Sequence, residues 1–212
     1  IDTAPDFTVA VNTLRRQHHL APLAADTIAR QVSNGSVALT ELAMQLKPNE
    51  AGFDTYREQL LAHYREIIGQ HATLYSGLDD LLARLDNSGI KWGIVTNKPL
   101  RFTEPLLAAL DLAPRCAVLV CPEHVTHSKP HPEALLYALT ILGHSAEHSV
   151  YIGDHRRDIT AGRNADLHTI AARYGYIEAS DDVATWQAND IAERPSDLYT
   201  IIDRLQTLSA AL

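Results

Sequence analysis

The chain predicts an α/β protein, with a doubly wound, Rossmann-like parallel-sheet core domain that follows an N-terminal helical domain. Two patterns and one local motif predict it. Through the first seventy or so residues the apolar side chains keep helical spacing, and no strand is apparent before residue 90. Beyond residue 77, short apolar runs alternate with amphipathic helices. That alternation is the mark of parallel strands with helices on both faces. The motif is Ser149-Val-Tyr-Ile-Gly-Asp-His-Arg-Arg-Asp158, in which an apolar strand runs into a glycine, then one aspartate, then a second four residues on. Burial drives such a strand inside, and its carboxylates emerge at the carboxyl end, where open α/β sheets hold their ligands.

The elements follow in order. Phe7, Ala10, Val11 and Leu14 have i, i+3, i+4, i+7 spacing; Leu39, Leu42, Ala43 and Leu46 repeat it; so do Phe53, Tyr56, Leu60, Leu61, Tyr64, Ile67 and Ile68 over a longer helix. Pro22, Asn34-Gly35 and Lys47-Pro48-Asn49 break these helices. Gly77 opens a helix with Leu78, Leu81, Leu82 and Leu85 on one face, and Gly89 closes it. Strands are predicted at 90–95, 117–120, 149–152 and 167–171, with helices at about 132–142 and 156–165. Leu198, Ile201, Ile202 and Leu205 mark a last helix. A helical domain over 4–73 and an α/β domain over 74–212 result, with the boundary near residues 72–77.

Composition limits the partners. At 212 residues and 46% hydrophobic, the chain can bury a real core. Its net charge of −8 argues against non-specific binding to nucleic acid or anionic membrane, while leaving room for a local basic pocket. Cys116 and Cys121 make no disulfide framework, and their odd spacing around one strand points them to opposite faces. Reduced thiols fit a cytoplasmic protein. No signal peptide and no apolar run of membrane-spanning length is found.

Three strand ends carry candidate chemistry. Thr96 and Asn97 follow the first strand, where a hydroxyl and an amide can donate to a phosphoryl oxygen; an ordinary turn is the alternative. Lys129 lies in Ser128-Lys-Pro-His-Pro132, a loop stiffened by prolines. It is either a point charge for phosphate or a solvated lysine. Asp154 and Asp158 repel each other unless a cation lies between them, and hard oxygen ligands favour Mg²⁺. The competing role is helix capping by Asp154 with a first-turn acid at Asp158. His155 either faces that mouth or starts the helix, the latter being favoured. His124, His127 and His131, and likewise His144 and His148, form no closed Cys/His ligand set and read as loop or surface residues.

The order hydroxyl, lysine, acid pair on successive strand ends resembles the haloacid dehalogenase-like hydrolases from end to end. Thr96 matches the second motif of that family, Lys129 the third, and Gly153-Asp154 with Asp158 the fourth. Residues 92–102, 121–130 and 173–177 resemble its phosphoglycolate phosphatase group, and within it the bacterial N-acetylmuramic acid 6-phosphate phosphatases. The resemblance implies that the helical segment is a cap whose turn between two helices faces the substrate. Asn34, Gly35 and Arg30 are then substrate-binding candidates, with Arg101 and Arg173 as further ones. A helix-end arginine beside a plain turn is the alternative.

The family's first motif, Asp-x-Asp-Gly-Thr, carries the nucleophile and the general acid/base. It is not found in this sequence. Asp2 and Asp6 match positions downstream of it, so the nucleophilic role is not transferred to them. Residues 1–3 then read as the hinge from a central first strand that precedes the sequence. On this expectation the printed chain alone is inactive. The resemblance implies a Mg²⁺-dependent phosphate monoester hydrolase acting through a phosphoaspartate. The substrate is a small phosphorylated metabolite, N-acetylmuramic acid 6-phosphate or 2-phosphoglycolate, and the protein is a monomer or homodimer. A sugar phosphomutase of the same family, or a non-catalytic phosphate-ester-binding protein, is the alternative.

Overall fold

The architecture is that of a computed structural model, which describes residues 1–178 and 180–209. Two compact units emerge: Ile1–Thr73 with Glu104–Asp111, and Leu74–Thr103 with the chain from Leu112 onward.

The first unit holds α1 (Ala4–Gln17), α2 (Ala25–Val32), α3 (Gly35–Met44) and α4 (Phe53–Ile67). The periodic residues of α1, namely Phe7, Ala10, Val11 and Leu14, are all buried, as are Leu39, Leu60 and Tyr64. Each fully buried leucine contributes about 1.5–3 kcal/mol of transfer free energy. Phe7 stacks on Tyr64 with ring centroids 4.0 Å apart, and burial pushes the Tyr64 phenol above its ordinary range. Two buried polar groups brace the loops. Arg15 donates from Nε to the Ala21 carbonyl at 2.6 Å and from Nη1 to the Ala43 carbonyl. Asp6 accepts from the backbone of Gly69 at 2.7 Å and His71 at 2.8 Å. Leu46, predicted as part of a helix, lies past the end of α3, because Gln45 takes a left-handed conformation at φ 56°.

The second unit contains α5 (Leu78–Asn87), β1 (Gly93–Val95), the start of α6 (Leu100–Ala109), β2 (Val118–Val120), α7 (Glu133–Leu142), β3 (Val150–Gly153), α8 (Arg156–Asn164), β4 (His168–Ala172), β5 (Asp190–Ala192) and α9 (Asp197–Ser209). All strand pairs are parallel. β1 pairs with β2, Ile94 opposite Leu119. β3 pairs with β4, Ile152 opposite Ile170, and β4 with β5, Ile170 opposite Asp190. The sheet is therefore in two pieces, β1-β2 and β3-β4-β5. Among the described residues no strand carries the ladder from β1 to β3.

Period-two alternation puts helices on both faces. Ile170 packs with Leu81 of α5 and Leu198 of α9. Its neighbour Ala171 faces Ile159 of α8, Val183 and Trp186. Val118 and Val120 pack on Ala134 and Ala138 of α7. The first strand is shorter than the predicted 90–95, because its partner β2 offers only three residues. β5 escaped prediction altogether, since three residues are too few to show a period. Among the described residues no helix is long and apolar enough to cross a membrane.

Candidate active site

The carboxyl ends of β1 and β3 and the loop after β2 converge on one buried ammonium. Lys129 Nζ lies 2.8 Å from Asp158 Oδ1, 2.7 Å from the Tyr151 hydroxyl and 2.9 Å from the carbonyl of Val95. A lysine has three N–H donors, so all three are engaged. The Lys129 and Asp158 side chains are only 8% and 9% exposed, which overturns the reading of Lys129 as a solvated surface residue. Burial works against its charge, while the Tyr151 and Asp158 oxygens more than offset this, and the ammonium stays above its ordinary range. Burial raises the Tyr151 phenol to about 12, so that residue is a neutral hydroxyl, also within 3.2 Å of the Val95 carbonyl.

Asp154 sits beside this pair. Its carboxylate accepts a backbone bond from Tyr176 at 3.2 Å. Burial first, then the charge of Asp158, raises its carboxyl above the usual range. It does not cap α8. That role belongs to His155, whose Nδ1 accepts from the backbone of Arg157 at 3.1 Å. The helix-start reading of His155 thus describes its place, and the ring also stacks near Trp186, 6.5 Å between centroids.

Thr96 Oγ1 accepts from the backbone of Lys98 at 3.0 Å. This is the turn anticipated as the alternative, and it leaves the hydroxyl its own hydrogen to donate. Asn97 departs from expectation. Its amide spans the backbone of Lys129, donating to the carbonyl at 3.0 Å and accepting from the amide at 3.2 Å. One of its two amide hydrogens, expected to serve a phosphoryl oxygen, instead holds the lysine loop in place.

Sequence reasoning missed the roles of Tyr151 and Gly175 here, while Gly153 had been noted as part of the acid motif. Tyr151 read only as an apolar strand residue, yet its hydroxyl touches the lysine. Gly153 and Gly175 mark close approaches: a Cβ on Gly153 would meet the Asp158 Cβ at 2.3 Å, and one on Gly175 would meet the Asp154 Cβ at 2.2 Å. Gly175 stands between two tyrosines just past the end of β4, which is the signal that could have found it.

The remaining candidates have other contacts. Arg30 is exposed and donates to its own helix, to the Asp26 carbonyl at 3.3 Å. Asn34 precedes α3 and reaches Gln31 at 3.1 Å, and Gly35 has a φ of 78°. These three belong to the first unit. Arg101, in the second, lies over its neighbour Phe102 at 4.9 Å, and Arg173 pairs with Glu193 at 2.6 Å. Asp2 and Asp6 are committed to backbone, Asp2 to Ala4 at 3.1 Å and Asp6 to Gly69 and His71.

The donor set suits a hard divalent cation. A buried carboxylate, Asp158, and a partly buried one, Asp154, lie at one strand end with Lys129 engaged by only one of them, an oxygen-rich set that an ion can bridge. Mg²⁺ is typically held by one or two carboxylates, with water and phosphate oxygens completing its shell.

Fold and cluster together define an α/β protein that gathers charge at the carboxyl ends of parallel strands. The chain belongs to the haloacid dehalogenase-like hydrolase family, whose model matches residues 1–172. It is 41% identical over 204 residues to an N-acetylmuramic acid 6-phosphate phosphatase of Pseudomonas aeruginosa, covering 96% of this chain and 90% of that one. It is 35% identical over 199 residues to a phosphoglycolate phosphatase of Xanthomonas campestris pv. campestris, covering 94% and 90%. Its fold is shared with a crystal structure described as a predicted phosphoglycolate phosphatase from Haemophilus somnus, at a TM-score of 0.81, 22% identity and coverage of 94% and 92%.

Proposed function

We propose that this protein hydrolyses the phosphate monoester of a small phosphorylated metabolite with the help of Mg²⁺, and that N-acetylmuramic acid 6-phosphate or 2-phosphoglycolate is the substrate. The observation that carries this reading is the Lys129–Asp158 pair buried beside Asp154 at the ends of parallel strands. A buried ammonium is costly unless it serves a partner, and a phosphoryl group carries its charge on equatorial oxygens that such an ammonium stabilises. The names of the relatives, at 41% and 35% identity, support the substrate class.

In this reading Asp154 and Asp158 hold the cation, which supplies charge neutralisation so that an anionic nucleophile can approach an anionic ester. Thr96 donates its hydroxyl hydrogen to one phosphoryl oxygen. Lys129 donates to another by exchanging one of its three present bonds. Asn97 and Tyr151 keep that lysine aimed throughout. A carboxylate attacks phosphorus in line, the ester P–O bond breaks and the alcohol leaves with a proton, and water then cleaves the phosphoaspartate to phosphate and free carboxylate; that role is not transferred to Asp2 or Asp6, which accept from backbone amides. Arg30, Asn34, Gly35 and Arg101 select the substrate.

The test is phosphate release by the protein made from its complete coding sequence, with each of the two substrates, in Mg²⁺ and then in EDTA. Release from one ester that stops with EDTA supports the proposal. Isomerised product without free phosphate points instead to a mutase. Tight ester binding without either product points to a binding protein.

A further inference from the structure

We propose that His127, His131 and Glu133 form a second cation site, selective for a borderline transition metal such as Zn²⁺ over Mg²⁺. One ring nitrogen of each histidine and one carboxylate oxygen lie within 4.8 Å of one another. His127 Nδ1 is 2.8 Å and His131 Nδ1 3.8 Å from Glu133 Oε2, and the two rings are 4.6 Å apart. Tetrahedral zinc with bonds of about 2.0–2.1 Å requires donor spacings of roughly 3.4 Å. The two nitrogen–oxygen spacings of 2.8 and 3.8 Å bracket that value. Weighed in the sequence as metal ligands, His127 and His131 read as loop or surface residues, because no closed Cys/His set is apparent; the third donor here is a helix-start glutamate, Glu133.

Two features prepare the site. Glu133, at the start of α7, is aimed by backbone donors, from Thr126 at 2.7 Å and His127 at 2.9 Å. Ligating carboxylates held this way are the usual arrangement of metal centres. Pro130 and Pro132 flank His131 and fix φ on both sides, which lowers the entropy lost when the loop is tied down. Imidazole nitrogens favour zinc, copper or nickel, whereas an all-oxygen set such as Asp154 with Asp158 favours magnesium. Both histidine side chains are more than half exposed, at 61% and 52%, so water can fill the remaining positions. His127 and His131 stand two residues either side of Lys129, and a bound ion would clamp the loop that carries it.

Zn²⁺ uptake is measured by competition with a chromogenic chelator in excess Mg²⁺, with the more accessible thiol, Cys116, blocked. The wild-type protein should take up one equivalent that H127Q/H131Q loses. In a second measurement on the wild type, substoichiometric Cu²⁺ should broaden the ring signals of His127 and His131 before those of the other histidines in nitrogen–proton NMR spectra. The proposal is overturned if the wild type takes up no Zn²⁺, if the variant keeps the equivalent, or if broadening is uniform across the histidines.

Discussion

Lys129 Nζ and Asp158 Oδ1 lie 2.8 Å apart with both side chains over nine-tenths buried. Neither is adjacent to the other in sequence, and each would be costly to bury alone. Their pairing ties the loop after β2 to the first turn of α8, and so joins the two pieces of the sheet at the mouth of the site.

Breaking that pair leaves a buried, uncompensated charge. Lys129→Met should destabilise the protein by about 3–5 kcal/mol. The double variant K129M/D158N should recover part of the loss, because it removes both charges. Urea unfolding of the two singles and the double measures this, and simple additivity would contradict the coupling.

Asp154→Asn should separate function from stability. The Asp154 carboxyl is raised above its ordinary range, by burial first and by Asp158 second. A raised carboxyl stabilises the fold only when protonated: the contribution is present below the unfolded value and is lost as pH rises through the folded one. Once ionised, the group is therefore a burden on the fold. The variant should have a higher Tm than wild type in EDTA. Its Mg²⁺-dependent turnover should fall at least about 100-fold, since cation catalysis supplies several kcal/mol. A lower Tm or retained turnover counts against the assignment.

The two glycines make a steric test. Gly175→Ala places a Cβ 2.2 Å from the Asp154 Cβ, and Gly153→Ala one 2.3 Å from the Asp158 Cβ. Neither gap is passable without moving the strand end, so each should cost about 1–3 kcal/mol and weaken Mg²⁺-dependent ester binding. Gly35→Ala meets no neighbour within 4 Å, so its strain is confined to its own backbone φ of 78°. Calorimetric titration across the three variants distinguishes loss of packing from loss of a site: Gly35→Ala should leave cation affinity unchanged.

Tyr151→Phe removes the hydroxyl that touches Lys129 and Val95. The cost should be about 1–2 kcal/mol of stability, together with a lower kcat at little changed KM if the tyrosine only aims the lysine. A rise in KM alone would place the hydroxyl on the substrate instead.

Asp190 supplies a pH test away from the site. Burial disfavours its charge, but Arg204, at 2.6 Å from both oxygens, and His168, at 2.7 Å, overcome this and hold its carboxyl below the ordinary 3.8. A depressed carboxyl gives stability that is present above the unfolded value and lost as pH falls through the folded one. Thermal unfolding should steepen below about pH 4. Asp190→Asn should flatten that acid limb and remove about 1 kcal/mol at neutral pH.

Much of the fold was legible because burial imposes a period. Phe7, Ala10, Val11 and Leu14 predicted α1, and Val150, Tyr151 and Ile152 predicted β3. What failed to show was short or non-local. β5 has three residues, and the strand at 90–95 shrank to the length its partner β2 could pair. Thr96, Lys129, Asp154 and Asp158 stood out as polar residues just past apolar runs. Tyr151 did not, because an apolar strand position gives no hint that its hydroxyl reaches a lysine 22 residues away. Asn97 was noticed, but its partner, the backbone of Lys129, could not be read from any local spacing.

The sequence by itself determined the helix-then-α/β order, the strand ends past which the polar candidates lie and the net acidity, since each follows from local pattern or composition. Only the tertiary structure decided which of those groups are spent on one another. It assigned the ammonium of Lys129 to Asp158, gave the α8 cap to His155 in place of Asp154, and turned Asn97 into a clamp. Hydrogen-bond partners and buried charge pairs depend on distances between segments far apart in the chain, and periodicity does not encode those distances.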